Sequence, residues 1–209
     1  MVSRVRPVSD FDRIASNIAI WHGYDSAVKA ELYSTCLGTS GGNYLIDPIP
    51  LESEALSELV GSKSVAGIIV TNCNHHRASA EFAEKFSAPL FGRTEAFPNK
   101  AEPDLKRVAD GDKIYDELTA IDIEGAVEGE IALNYAPDDG TFIIGDALIN
   151  FEPYGFTFLP AKYCSNGKQM RRSLRKLLAF KAKRMLFSHG TPILSDASER
   201  LRSLLDGSL

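Results

Sequence analysis

Apolar positions along this chain fall into two rhythms, short compact bursts and stretches with helical spacing. Residues 17–22 (NIAIWH) and 31–37 (ELYSTCL) are bursts separated by a polar Gly-Tyr-Asp-Ser turn, which predicts a hairpin. Residues 43–47 (NYLID) form a third strand ending in an acid and Pro48. Leu51, Ala55, Leu56, Leu59 and Val60 then recur at helical spacing before Gly61, predicting a helix over 52–60. Further bursts at 117–124, 130–135, 141–145 and 184–188 predict a second block of sheet, and 89–91 a short strand. Met170, Leu174, Leu177 and Leu178 mark one face of a helix over about 167–180, capped by Ser165 or Asn166, and Ala197, Leu201, Leu204 and Leu205 mark a last helix. Residues 93–110 carry two prolines and no period, and read as a surface excursion.

The stretch 65–77 (VAGIIVTNCNHHR) is where chemistry concentrates. A buried run breaks at Thr71 into polar residues, and 78–86 reads as a helix with Phe82 and Phe86 on one face. Side chains on the turn from a buried strand into a helix sit where α/β proteins place their reactive groups. Strand clusters separated by helices favour a two-sheet core with helices outside over a purely doubly wound sheet.

Composition narrows the class. At 209 residues, with 44% hydrophobic and 24% charged, the chain suits one folded, soluble domain spanning 1–209. A net charge of −5 opposes general affinity for nucleic acid or acidic membranes. No run approaches a membrane span and the amino terminus lacks a secretory apolar core, so a cytoplasmic location is expected. Cys36, Cys73 and Cys164 form no C-x-x-C pair and suit free thiols. The eight basic residues between Lys168 and Arg184, unaccompanied by any acid, read as a solvated helix side. Gly38, Gly41 and Gly42 lack phosphate-loop spacing and read as turn glycines.

Four landmarks stand in order: LIDP at 45–48, IIVTNCNHHR at 68–77, TFIIGDAL at 141–148 and LFSHG at 186–190. In this order the chain resembles the metallo-β-lactamase superfamily, and within it the glyoxalase II-like hydrolase lineage, over about residues 15–205. The resemblance implies an α/β fold of four layers, an αβ/βα sandwich. Hydrolytic members carry T-H-x-H-x-D-H after a strand, a later His, an Asp in a G-D turn and a last His. With Thr71 on the family's Thr, Asn72 and Asn74 occupy the first two His positions, His76 the Asp and Arg77 the last His. Ala126, in EGAVEGE, takes the position of the later His, while Asp146 and His189 match the bridging Asp and final His.

This register implies a depleted centre. Neutral amides are poor zinc donors, so the first metal position, left with Asn72, Asn74 and a share of Asp146, is expected to be empty. The second could draw on His76, Asp146 and His189, a set that suits one zinc or iron ion. Arg77 cannot ligate, and pointing inward about 4 Å from a dication it would be repelled by roughly 8 kcal/mol at a dielectric of 20. On residue type alone, His75 and His76 suit an exposed loop, Asp146 a turn cap and His189 a hydrogen-bonded interior residue. Tyr163 and Cys164 are candidates for the pocket rim.

Two readings follow. The first is a hydrolase-like protein with at most one metal, acting on an ester, thioester or amide, with His76, Asp146, His189 and Arg77 as its chemistry. The second is a metal-free binding member in which Arg77 pairs with Asp146 or with an anionic ligand. Both expect a small molecule at the site, without membrane or nucleic acid. Redox chemistry at iron has less support, because the His and carboxylate count is low.

Overall fold

The computed structural model describes residues 5–97 and 105–207. An antiparallel meander of β1 (Asp12–Ala15), β2 (Ile18–Asp25), β3 (Ala30–Thr39) and β4 (Gly42–Ile46) opens the chain. It continues through α1 (Ser53–Val60), β5 (Val65–Ile69), α2 (Ser79–Phe86), β6 (Leu90–Gly92) and β7 (Leu105–Arg107). These strands form one sheet in chain order, with β4 to β7 parallel. Next come β8 (Lys113–Tyr115), β9 (Leu118–Asp122), β10 (Ile131–Tyr135), β11 (Thr141–Ile144), β12 (Leu148–Phe151) and β13 (Gly155–Phe158). Then follow α3 (Gly167–Leu174), β14 (Arg184–Phe187) and α4 (Ala197–Asp206). The second sheet runs β14-β11-β10-β9-β8 with β11 and β14 parallel, and β12 and β13 form a separate hairpin.

Alternation along each strand explains the layering, because successive side chains leave opposite faces of a sheet. In β5 and the residue after it, Ile68 and Val70 face α1 and α2 while Ile69 faces the other sheet. Likewise Phe142 and Ile144 pack under α3 and α4, whereas Ile143 meets the first sheet. Three apolar clusters result: helices on the first sheet, sheet on sheet, and the second sheet on its helices. This is the αβ/βα sandwich expected from the sequence. No helix among the described residues is long and apolar enough to cross a membrane.

Several elements differ from expectation. The helix expected over 167–180 is α3, capped by the Asn166 side chain on Gln169 N (3.1 Å), followed by a 3₁₀ turn at Arg175–Ala179. That tighter winding keeps Leu177 buried while Arg175 and Lys176 reach outward to Asp206 and Asp110. The hairpin of β12 and β13 escaped sequence reading because Phe156 and Phe158 are interleaved with polar and small residues and carry no long run. Within the excursion at 93–110 lie a 3₁₀ turn, Thr94–Ala96, and β7; residues 98–104 fall outside the described residues.

Candidate metal centre

Two pairs of parallel neighbours, β4 with β5 and β11 with β14, deliver their carboxyl ends to one place. Strand carbonyl and amide groups are already paired there, so the residues just beyond the strands are free to face a common pocket. Those residues are Asp47, Thr71 to Arg77, Asp146, and Ser188 with His189.

Asp47 is the hub. Its backbone adopts a positive φ of 47°, which Asp tolerates better than most residues. Its Oδ1 accepts from Thr71 N (2.9 Å), and its Oδ2 from Thr71 Oγ1 (2.6 Å) and Ser188 Oγ (2.6 Å). The same Oδ2 lies 2.9 Å from His75 Nδ1. Burial opposes ionisation of this carboxyl, yet His75, the Arg77 guanidinium and the hydrogen bonds carry its pKa down to about 2. Asp47 is therefore an anion tying β4 to the loop after β5 and the end of β14.

A tight turn decides which histidine enters the pocket. His75 N donates to Asn72 O (3.1 Å), and Asn74 N to Asn72 Oδ1 (2.9 Å), closing the loop immediately after the strand. The turn folds His75 back beneath the strand ends, where it is 2% exposed. His76, one residue further on, swings to the other side. Its Nε2 lies 2.7 Å from Ala96 O and its ring stands edge-on to Phe97, centroids 4.7 Å apart. The cluster therefore holds His75 where the sequence pointed to His76. Residue type favoured neither, and only the closed turn separates them.

Among the described residues His75, Asp146 and His189 form a group with metal-ligand chemistry. His75 Nε2 lies 3.3 Å from Asp146 Oδ1 and 3.4 Å from His189 Nε2, and His189 Nε2 lies 3.2 Å from Asp146 Oδ1. The three atoms make a nearly equilateral triangle. Ligands of a tetrahedral zinc at ~2.0–2.1 Å stand about 3.3–3.4 Å apart, so this triangle matches one face of such a site. Asp47 on Nδ1 leaves His75 Nε2 directed at the centre, the usual support of a metal-binding imidazole by a carboxylate. The His189 side chain is 19% exposed, against 3% for His75 and 9% for Asp146, so His189 is the corner of the triangle nearest to solvent.

The charge balance agrees with the geometry. Burial opposes ionisation of Asp146, but His75 and His189 hold its carboxyl well below the usual range. Two ionised carboxylates, Asp47 and Asp146, against one guanidinium, Arg77, leave one net negative charge to be neutralised. Without a metal the neutralising cation is the His75 imidazolium. Burial would depress its pKa, but Asp146 and Asp47 raise it to about 9. Burial keeps His189 the other way, below its ordinary value.

This yields a pH prediction for chelator-treated protein. The His75 contribution to stability is complete below its ordinary pKa of 6.5 and is lost as pH rises through about 9. At ~1.36 kcal/mol per unit the loss is about 3 kcal/mol. Urea denaturation at pH 6 and pH 9.5, run beside His75→Gln so that the loss from the Glu130 carboxyl in the same window is subtracted, measures it; an equal fall in both proteins would refute the buried imidazolium.

Arg77 does not pair with Asp146 as the sequence suggested. Its Nη1 donates to Tyr33 O (2.6 Å) and Asp47 O (2.9 Å), and its Nη2 to Ser188 O (3.4 Å). The guanidinium fork matches three carbonyls, one within β3 and two just past the ends of β4 and β14, better than one carboxylate already held by two histidines. Turned to these carbonyls, it does not take up a ligand position and does not bar a cation from the triangle. Its own φ of 41°, strained for an Arg, is held by those bonds.

Sequence reading missed Glu130. Buried at the start of β10, it accepts from Asp146 N (2.7 Å) and Ala147 N (2.9 Å) through Oε1, and from Asn72 Nδ2 (2.6 Å) through Oε2. Asn72 Nδ2 also reaches Asp146 Oδ2 (3.2 Å). Burial and then the Asp146 charge raise the Glu130 pKa. Asn72 thus bridges two carboxyls, Asn74 is exposed, and Ala126 is buried without a donor. An acid opening an otherwise apolar strand was the signal available. Gly145 makes room for this network: a Cβ there would meet Glu130 Oε1 and Thr71 Oγ1, each at 2.7 Å. Gly145→Ala is expected to cost about 2 kcal/mol through overpacking, seen as a lower urea midpoint; an unchanged midpoint would show that the network yields freely.

A family model described as the metallo-beta-lactamase superfamily matches residues 13–208. No curated protein is significantly similar in sequence. Among solved structures, the chain is similar to the DIM-1 metallo-beta-lactamase, with a TM-score of 0.75 at 14% identity, covering 99% of this chain and 100% of that one. It is also similar to a metallo-beta-lactamase from Pontibacter korlensis, with a TM-score of 0.72 at 15% identity, covering 97% and 99%. A metallo-beta-lactamase family protein from Thermus thermophilus gives 0.68 at 18% identity, covering 94% and 80%. At these identities the likeness to solved structures concerns the fold, and the family-model match over nearly the whole chain carries membership: the chain belongs to the metallo-β-lactamase superfamily.

Proposed function

We propose that this protein is a hydrolase with a single-metal centre held by His75, Asp146 and His189, acting on an ester, thioester or amide of a small molecule. The observation that carries the reading is the triangle of ligand atoms, with edges of 3.2, 3.3 and 3.4 Å and its His189 corner towards solvent. The donor set of two imidazoles and a carboxylate suits zinc, with iron as the alternative. When bound, the ion would supply Lewis acidity and lower the pKa of its bound water.

The chain's own groups do the positioning. Asp47 holds the His75 ring through Nδ1, and Thr71 and Ser188 hold Asp47. Asn72 fixes the second oxygen of Asp146, so the carboxylate presents Oδ1 to the two imidazoles. Beyond Asn72 stands Glu130 rather than further imidazoles, which supports one ion and not two. The raised pKa of His75 supports a second reading, a metal-free binding member whose imidazolium neutralises the pocket.

Elemental analysis of untagged protein purified without chelator decides between them. Zinc or iron near one per chain is expected. Less than about a tenth per chain after incubation with either ion, when site affinities normally ensure loading, would leave the binding reading in place. A value near two would overturn the single-ion centre.

A further inference from the structure

The basic stretch from residue 162 to 184 is divided in two by its ion pairs. In the far half Arg175 pairs with Asp206, Lys176 with Asp110, and Lys183 with Asp139. In the near half Lys162, Lys168, Arg171 and Arg172 are exposed, and no carboxylate among the described residues pairs with them. Two of them lie over aromatic rings instead: Lys162 Nζ is 4.7 Å from the Tyr163 ring centroid and Arg171 Cζ 4.8 Å from that of Phe158. Stacking fixes a cation without neutralising it. In a protein of net charge −5, four cations without a carboxylate partner among the described residues thus stand on one short stretch of chain, residues 162–172.

That place adjoins the centre. The segment carrying Lys162 and Tyr163 is pinned at one end by Leu159 N to Ala147 O (3.2 Å), beside Asp146. At the other end Ser165 N donates to Ala126 O (3.1 Å) and Asn166 N to Gly125 O (2.8 Å), in the turn that leads to Glu130. Cys164, between the pins, lies within electrostatic reach of Glu130, Arg171 and Asp146 together. Tyr163 is 59% exposed, leaving an aromatic face beside the cations.

Building on the hydrolase reading, we propose that Lys162, Lys168, Arg171 and Arg172, with Tyr163, form a cationic wall beside the centre that selects substrates bearing an anionic group. Such a wall raises the local concentration of an anion and its rate of capture by ~10-fold or more at low salt. In the far half three of the five cations, Arg175, Lys176 and Lys183, are held by carboxylates, which breaks the track a polyanion would follow, so the wall fits a small anionic substrate.

The test uses the zinc-supplemented full chain and two nitrophenyl esters, the neutral acetate and the mono-ester of a dicarboxylic acid. Lys162→Glu with Arg171→Glu is expected to lower kcat/KM for the anionic ester about tenfold and to leave the neutral ester within about twofold, an effect that shrinks as salt rises. Equal falls for both esters, or no change in either, overturn the wall. Lys162→Gln with Arg171→Gln, matched in melting temperature to the unaltered protein, guards against misfolding. Failure to turn over either ester counts against the hydrolase reading alone. The wall is then decided by Tyr163→Cys, labelled with the dithionitrobenzoate dianion and with neutral dithiodipyridine and read at position 163 by peptide mass. The dianion-to-neutral rate ratio is expected to fall about tenfold on charge reversal, and a ratio unmoved by it overturns the proposal.

Discussion

Replacement of His75 by Ala is expected to weaken zinc binding by about a hundredfold or more, while His76→Ala leaves affinity within about threefold. His75 Nε2 is one corner of the ligand triangle, and removing a corner leaves two donors, too few for a stable structural or catalytic zinc. His76 has its Nε2 on Ala96 O and takes no part in the triangle. Asp47→Asn should fall between the two, about 10–100-fold weaker, because it acts only through the orientation of His75. Competition against a chromophoric zinc chelator reads all three. If His76→Ala, and not His75→Ala, abolished binding, the turn closed by Asn72 would have to open in solution and the triangle would lose its meaning.

Arg77→Ala is expected to lower stability by about 3 kcal/mol, a melting-point drop of about 10 °C for a chain of this size. The loss has two parts. The carbonyls of Tyr33, Asp47 and Ser188 lose a shared donor at a point where β3, β4 and β14 meet. Asp47 also loses one of the two cations that keep it ionised. Arg77→Lys should recover little, since one ammonium cannot span three carbonyls held by a planar fork. Because the guanidinium is not a ligand, zinc stoichiometry of the folded Arg77→Ala protein should stay near one per chain. A drop below about 2 °C would mean that solvent replaces these bonds at little cost, and that Arg77 is a surface residue after all.

The family resemblance placed Asp146 and His189 correctly at strand ends, because Gly-Asp and His-Gly follow apolar runs whose direction the pattern reveals. The same resemblance misplaced the loop. A motif register counts residues, whereas the turn closed on Asn72 sends His75 to Asp47 and Asp146 and His76 to Ala96 O. Arg77 was misread for a related reason: its charge suggested a carboxylate partner, yet the nearest groups not already held by histidines are main-chain carbonyls, which no sequence pattern displays.

What the sequence determined by itself is the layering. Alternating apolar positions in the strands and one-sided helices demand that two sheets face each other and bury their outer faces under helices, whatever the loops do. What only the tertiary structure decided is the pairing of polar groups at the strand ends. Asp47 and Ser188 are 141 residues apart in sequence and 2.6 Å apart in space, and Asn72 meets Glu130 across 58 residues. Hydrogen bonds and ion pairs of this kind depend on ångström-scale placement of groups brought together by packing, and apolar periodicity carries no information at that scale.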